Sequence, residues 1–176
     1  MIYKYRIISS ENDEFIREVA INSYATFLDL HNFIVEELGY EQSQMTSFFL
    51  TDQNWNKETE ITLIDMSDGF FPDIKVMDKI RMGELITEKK QRLLYVFDQF
   101  AERSLFLELY EMNDGKTSSA LCLRREGNPP LQFDETALQS GDLNDQDLAE
   151  LTNDDEFTEF PDDFDDIDIT NEEEYY

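Results

Sequence analysis

The sequence predicts an α+β domain with a β-grasp-like arrangement, followed by an acidic C-terminal tail. In that arrangement a hairpin, a helix and further strands form a mainly antiparallel sheet with helices on one face. Three observations predict it: a pair of strand-like segments at the N-terminus, one well-capped amphipathic helix after them, and a break in charge near residue 126.

The N-terminal segments have the pattern of a β-hairpin. Residues 2–8, IYKYRII, mix β-branched and aromatic residues with alternating polarity, as a half-buried strand does. Residues 9–14 are polar and turn-like, and residues 15–21 have the composition of a second strand. Two strands joined by a short polar segment are expected to pair with each other.

A helix is predicted to follow the hairpin. Thr26 and Asp29 fit a capping box, in which each side chain satisfies a free backbone N–H of the first turn. Gly39 suits a left-handed C-terminal cap. The apolar positions recur with helical spacing and form one stripe: Phe27, Leu30, Ile34 and Leu38. We therefore expect the stripe to pack on the sheet.

Further strands and a short helix complete the predicted domain. Strands are expected at 47–51, 60–65, 93–97 and 105–112, with an edge strand at 118–123. Residues 66–73, which contain Gly69 and Pro72, are predicted to form a loop, and residues 79–86 a short helix. The resulting order, ββαββ-α-βββ, favours the β-grasp-like domain.

Charge is distributed unevenly along the chain. All 14 Lys and Arg lie at or before Arg125, together with 22 of the 41 Asp and Glu, so residues 1–125 carry a formal charge of −8. Residues 126–176 carry the other 19 acidic residues and no basic one. Because Pro129 and Pro130 interrupt regular structure at this change, we predict a domain of residues 1–133 and a tail of residues 134–176 that is disordered or docked.

The overall composition disfavours several classes of partner. A net charge of −27 opposes direct binding to nucleic-acid phosphates and to anionic membranes. No apolar stretch approaches the roughly 20 residues that span a bilayer. The N-terminus lacks the apolar run of a signal peptide, and the single Cys122 cannot form an intramolecular disulfide. A cytoplasmic protein is the simplest interpretation.

No residue pattern indicates catalysis. His31 is the only histidine and is expected to lie at the boundary of the core, on the inward side of the helix. Cys122 falls in a predicted strand and is expected to be a small buried side chain. The sequence contains no nucleophile elbow, phosphate loop or dinucleotide-binding fingerprint. We therefore predict that the protein is not an enzyme and holds no cofactor, although an unfamiliar carboxylate site stays an alternative.

One acidic segment of the tail has a partial calcium-loop spacing. Asp163, Asp165 and Glu174 stand at positions 1, 3 and 12 of an EF-hand loop. Position 5 is Ile167 and position 6 is Asp168, where the loop requires an oxygen ligand and a glycine. We therefore predict no metal site.

Three segments resemble the plasmid pRiA4b ORF-3-like family, also described as passenger proteins of an insertion element. They are residues 29–49, with DLHNFI, the pair Gly39-Tyr40 and SFF; residues 79–98, with KIRMGEL and LYVFD; and residues 122–130, CLRREGNPP. The resemblance covers residues 1–133 and implies the α+β fold and an association with plasmids or mobile elements. Residues 99–103, QFAER, stand where the family tends to have Phe-Gly-Asp and Trp, so a family site there is not implied for this chain.

Two groups of residues are candidates for binding a partner. The basic group is either an exposed loop or a docking site for acidic segments and comprises Lys79, Arg81, Lys89, Lys90 and Arg92. The aromatic group alternates with acidic residues in the tail, where it either is solvated or anchors on a groove, and comprises Phe157, Phe160 and Phe164.

These residues lead to a functional hypothesis and an alternative. The leading hypothesis is a non-enzymatic protein-interaction module associated with plasmids or mobile elements, which binds a protein partner or a second copy of itself. The alternative is a nucleic-acid-related role, either by direct binding through residues 79–92 or by mimicking the charge of DNA.

Overall fold

Eight strands and two helices follow one another in residues 1–65 and 74–133, which are the residues that the computed structural model describes. The strands are β1 (Ile2–Ser9), β2 (Ile16–Asn22), β3 (Ser47–Thr51), β4 (Lys57–Thr62), β5 (Lys75–Val76), β6 (Arg92–Asp98), β7 (Arg103–Asn113) and β8 (Leu121–Glu126). The helices are α1 (Phe27–Leu38) and α2 (Met82–Leu85). Neither helix has the length and apolar character needed to cross a membrane.

The strands form one mixed sheet in the order β5-β4-β3-β6-β7-β1-β2-β8. Neighbouring strands are antiparallel except β4 and β5, which are parallel. The N-terminal strand β1 lies inside the sheet, where Tyr5 is opposite Val19 of β2 on one side and Leu109 of β7 on the other. β8 ends the sheet beside β2.

The β-grasp-like prediction is wrong. The structure has a large eight-stranded mixed sheet, and within residues 1–65 and 74–133 the helices are the twelve residues of α1 and the four of α2. The hairpin of β6 and β7 lies between β3 and β1, so that the two halves of the sheet join through a long-range pairing. β6 suits this interior position because the five consecutive residues 93–97 are buried. The molecule is therefore α+β only in a loose sense.

Several predicted boundaries also shift. The strand predicted at 60–65 is β4, which ends at Thr62 because the pair Ser47↔Thr62 is the last of its ladder with β3. The edge strand predicted at 118–123 is β8, and the helix predicted at 79–86 is the single turn α2. The predicted loop 66–73 and the predicted tail 134–176 lie outside the described residues.

Helix α1 has the predicted caps and the predicted inward face. Thr26 Oγ1 accepts a hydrogen bond from the N–H of Asp29, whose carboxylate accepts one from the N–H of Thr26. Gly39 adopts φ 69° and closes the helix. Phe27, Leu30 and Ile34 are buried in the core, and Leu38 is partly buried against it. The opposite flank of α1, which carries Asp29, Asn32 and Glu36, is therefore exposed.

The segment after β8 crosses the end of the sheet and is held by hydrogen bonds to two distant elements. Tyr40 Oη donates to the carbonyl oxygen of Pro130 at 2.7 Å. Arg103 Nη2 donates to the carbonyl oxygen of Leu131 at 2.6 Å, and Gln132 Oε1 accepts from the N–H of Glu41 at 2.6 Å. The course of β8 is therefore fixed from its C-terminal side.

Candidate functional site

The basic residues predicted to bind a partner lie between the end of β5 and the start of β6, and two of them form ion pairs within the domain. Lys79 follows β5 and pairs with Asp65 at 2.7 Å. Arg92 begins β6, where it pairs with Glu108 at 3.0 Å and its guanidinium lies 4.8 Å from the centre of the Trp55 ring. Both side chains are therefore engaged with groups of the same domain.

The other three basic residues are exposed. Lys89 and Lys90 occupy the turn before β6, and Arg81 precedes α2. Arg81 lines a cavity of about 490 Å³ together with Glu84 and Asp114, so acidic groups surround it. The aromatic candidates Phe157, Phe160 and Phe164 lie outside the described residues, and their role stays a prediction.

His31 lies deeper than the boundary position predicted for it. It is 2% exposed, and its Nδ1 is 2.9 Å from the hydroxyl of Tyr95 and 3.2 Å from the hydroxyl of Thr46. Burial lowers the pKa of His31, so the neutral ring is favoured. This arrangement is a hydrogen-bonded core histidine.

Cys122 is less buried than predicted. It is half-buried, on strand β8. Its Sγ lies 3.7 Å from Oε1 of Glu37, and burial is the main cause that raises the pKa of the thiol. A thiol with a raised pKa is a weak nucleophile. In residues 1–65 and 74–133, no three His, Cys, Asp or Glu side chains are grouped as ligands for a metal ion.

A groove of about 450 Å³ lies along one flank of α1. One wall is a flank of the helix, where Asp29, Asn32, Phe33 and Glu36 follow the spacing i, i+3, i+4 and i+7. The other wall is residues 117–120, the end of the connection from β7 to β8. We call this feature the α1–β8 groove.

Hydrogen bonds hold the second wall of the α1–β8 groove in place. Asn22, the last residue of β2, donates from Nδ2 to the carbonyl oxygen of Thr117 at 3.4 Å. Thr117 Oγ1 donates to the carbonyl oxygen of Ser119 at 2.7 Å. These contacts shape the chain just before β8 begins at Leu121, so the groove opens directly onto that strand.

Strand β8 adds an open edge to the groove. Among the described strands it pairs with β2 alone. Leu121 and Leu123 are 50% and 49% exposed, which is high for leucines in a strand. A strand edge carries unpaired N–H and C=O groups that can pair with another chain. The groove and the edge adjoin where Ala120 of the groove wall leads into Leu121 of β8.

The opposite end of β8 is closed onto the helix by ion pairs. Glu37 of α1 accepts hydrogen bonds from Arg17 Nε at 3.0 Å and from Arg125 Nε at 2.5 Å. The side chains of Arg17 and Glu37 are only 5% and 7% exposed. The hydrogen bonds from Arg125 lower the pKa of Glu37 against the effect of burial. We call Arg17, Glu37 and Arg125 the clamp.

The charges of the α1–β8 groove are of one sign. Asp29 and Glu36 are exposed at its rim, and no Lys or Arg lines it. Phe33, Ala25 and Ala120 supply apolar surface between the polar groups. Such a lining can bind a chain by apolar contact and can pair with positive charge, but it presents no nucleophile beside a base.

Sequence patterns did not indicate this groove. The polar flank of α1 has the appearance of any solvated helix face, and residues 117–120, TSSA, have the appearance of a turn. The groove arises because β8 pairs with β2 at the sheet edge, which places 117–120 opposite the helix. A local pattern carries no information on that pairing.

Comparison with known proteins gives a similar fold and a family. The crystal structure of a protein of unknown function from Methanosarcina mazei Go1 superposes with a TM-score of 0.55 and 16% sequence identity, over 70% of this chain and 68% of that chain. At this identity the likeness concerns the fold alone. No curated protein sequence matches the chain.

The family comparison covers most of the chain. The family model described as plasmid pRiA4b ORF-3-like protein matches residues 2–134. This range includes every strand and helix of the described residues as well as both walls of the α1–β8 groove. The chain therefore belongs to the plasmid pRiA4b ORF-3-like family.

Proposed function

We propose that this protein is a non-enzymatic protein-interaction module that binds an extended segment of a partner along β8. The observation that carries the proposal is the open edge of β8 beside the α1–β8 groove. Strand addition draws affinity from backbone hydrogen bonds and specificity from pockets for alternate side chains. The edge of β8 offers the backbone hydrogen bonds, and the α1–β8 groove offers a pocket for a side chain.

The two exposed leucines support this mode of binding. A monomeric protein protects its sheet edges with short strands, charges or covering segments. At the other edge of this sheet β5 has two residues and presents little backbone, whereas β8 has six. Leu121 and Leu123 lie on the longer edge, where burial against a partner removes apolar surface from water.

The family description supports the second part of the proposal, an association with plasmids or mobile elements, because it names a plasmid reading frame. A cytoplasmic location is part of the same proposal. It is supported by the single cysteine of the chain, Cys122, which is a free thiol as is usual in reducing compartments.

Direct nucleic-acid binding has less support. The solvent-facing side of the sheet carries basic and aromatic residues, yet its basic residues are matched by carboxylates. Lys4 pairs with Glu111 at 2.8 Å, and Arg6 pairs with Glu18 at 2.9 Å. Arg92 pairs with Glu108 as described above. Phosphate binding would require these pairs to open, so this alternative stays a prediction.

Selection from a library of random peptides against the full chain tests the proposal. We expect selected peptides to bind the natural protein and to slow amide hydrogen exchange in β8, because strand addition pairs its free backbone groups. The double variant Leu121→Lys with Leu123→Lys should lose this binding, since lysines block edge pairing. The matched control is Ile8→Lys, at a residue that is 42% exposed on β1 inside the sheet.

Three results would contradict the proposal. The first is that the library yields no binder. The second is that the selected peptides bind the β8 double variant as well as they bind the control. The third is that hydrogen exchange slows elsewhere and not in β8. A change from monomer to dimer that depends on Leu121 and Leu123 would identify a second copy of the chain as the occupant of the edge.

A further inference from the structure

We infer that the α1–β8 groove selects a basic segment of its protein partner, with a lysine or arginine side chain held between α1 and residues 117–120. This inference rests on the proposed function and specifies the chemistry of the partner at the same site. Three features carry it: the shape of the groove, the charges on its rim, and the position of the clamp.

The shape suits a long amphipathic side chain. The groove of about 450 Å³ is walled by apolar atoms of Phe33 and Ala120 below polar groups at its rim. Lysine and arginine lay their aliphatic stems along apolar surface and keep the charge at a polar edge. A short polar side chain would cover less of the apolar wall, and a purely apolar one would leave the rim carboxylates without partners.

The rim charges suit a cation. Glu36 is exposed and forms no ion pair with any residue in 1–65 or 74–133. Asp29 is seven residues earlier and lies about 10.5 Å away along the helix axis. Oxygen Oδ2 of Asp29 accepts from Thr26, and its other oxygen has no hydrogen-bond partner among the described residues. Two carboxylates on one helix flank favour positive partners and repel acidic ones.

The clamp explains why the basic residues of β8 do not fill this role. Arg125 is bound to Glu37, and Arg124 pairs with Glu126 at 2.8 Å. Arg124 and Arg125 of β8 are thus paired with carboxylates outside the groove, and the exposed Lys116 precedes the groove wall without lining it. The rim carboxylates stay available to an external cation, and a second copy of this acidic chain is a poor source of one.

Synthetic peptides test the inference on the full chain. One peptide alternates valine with lysine, and the second replaces each lysine with glutamate. We expect the lysine peptide to bind at about 50 mM salt and to weaken about tenfold at about 500 mM, because the screening length shortens. The glutamate peptide should bind at least about tenfold more weakly at low salt.

Charge reversal supplies the matched comparison. Glu36→Lys should weaken the lysine peptide about tenfold and improve the glutamate peptide. Glu58→Lys makes the same change of charge at an exposed residue of β4 and should alter either affinity by less than about twofold. Equal effects of the two variants would show that only the net charge of the protein matters and would overturn the inference.

The possible failures can be separated. Spermidine is the control for a free polyamine. If it displaces the lysine peptide and binds with the same affinity per positive charge, the groove recognises a polyamine, and the inference of a polypeptide partner is overturned. If library peptides depend on Leu121 and Leu123 but are neutral or acidic, the proposed function stands and the basic partner is wrong. If library peptides are basic, require Glu36 and still ignore β8, the groove binds a basic segment without strand addition.

Discussion

The two ends of the contact between α1 and β8 differ although they involve the same helix and the same strand. At the C-terminal end of α1, Glu37 binds Arg17 of β2 and Arg125 of β8 and so joins the helix to the strand. Where β8 begins, no ion pair joins the described residues of helix and strand, and the α1–β8 groove of about 450 Å³ opens. Helix and strand are therefore joined by the clamp at one end and separated by the groove at the other.

The comparison teaches how a step of one residue along a helix gives two glutamates different environments. Glu36 and Glu37 are adjacent, yet successive residues of an α-helix point about 100° apart. Glu37 is therefore turned towards Arg17 and is 7% exposed, whereas Glu36 is exposed at the groove. Composition and charge alone make the two glutamates equivalent, and only the packing distinguishes them.

Removal of the clamp carboxylate should have the largest effect. Glu37→Ala leaves the buried guanidinium of Arg17 with backbone carbonyl acceptors alone, and removing one partner of a buried ion pair costs about 3–5 kcal/mol. The free energy of unfolding from urea denaturation measures this loss. Glu36→Ala is the control and should stay within about 0.5 kcal/mol of the natural protein. Similar losses in both variants would erase the distinction between the two ends.

The core face of α1 runs along the whole helix, and truncation of its side chains should destabilise the protein. Leu30 and Ile34 are 0% and 1% exposed. Leu30→Ala or Ile34→Ala should therefore reduce the free energy of unfolding by about 2–5 kcal/mol, as core truncations do. Thermal or urea unfolding checks this. A loss below about 0.5 kcal/mol in either variant would mean that this helix face does not contribute to the core.

Two glycines with a similar backbone conformation should differ because only Gly127 has another backbone segment where a Cβ would stand. Gly127 has φ 61°, and a Cβ there would overlap the carbonyl of Glu14. Gly39 has φ 69° with open space around it. Gly39→Ala should cost about 1–2 kcal/mol from the left-handed backbone alone, and Gly127→Ala should cost more. Equal unfolding free energies for both variants would show that the backbone at residue 127 can shift to accommodate a Cβ at little cost.

The pH dependence of stability should show the smallest effect. Burial lowers the pKa of His31, so the unfolded chain binds the proton more readily than the folded one. The stability contributed by the neutral ring is present above the unfolded pKa of about 6.5 and is lost as the pH falls below it. Urea titrations at several pH values compare the natural protein with His31→Gln, and parallel curves would contradict this contribution.

Local features of the fold could be predicted from the sequence, and the pairing of distant strands could not. Thr26, Asp29 and Gly39 act within a few residues of each other, so their spacing predicts the caps of α1. The position of β6 and β7 between β3 and β1 depends on contacts across the whole chain. The β-grasp-like prediction failed at that step, because a hydrophobic strand pattern indicates burial and not the identity of the neighbour.

The candidate site has the same limitation. The basic residues from Lys79 to Arg92 are close in sequence and look like one positive cluster, yet the fold pairs Lys79 and Arg92 with acids. The groove instead joins a helix flank near residue 30 to a connection near residue 118. Its residues share no motif, since the property that unites them is proximity in the folded chain.

The interior position of β1 has a consequence for synthesis of the protein on the ribosome. β1 is made first, but its second neighbour β7 ends at Asn113. At about 5–20 residues per second the hairpin of β1 and β2 waits on the order of ten seconds for that partner. During this interval one side of Ile2–Ser9 is an unpaired strand. Nascent chains stopped before β7 should therefore be digested by protease within β1, whereas chains that have released β7 should be protected there.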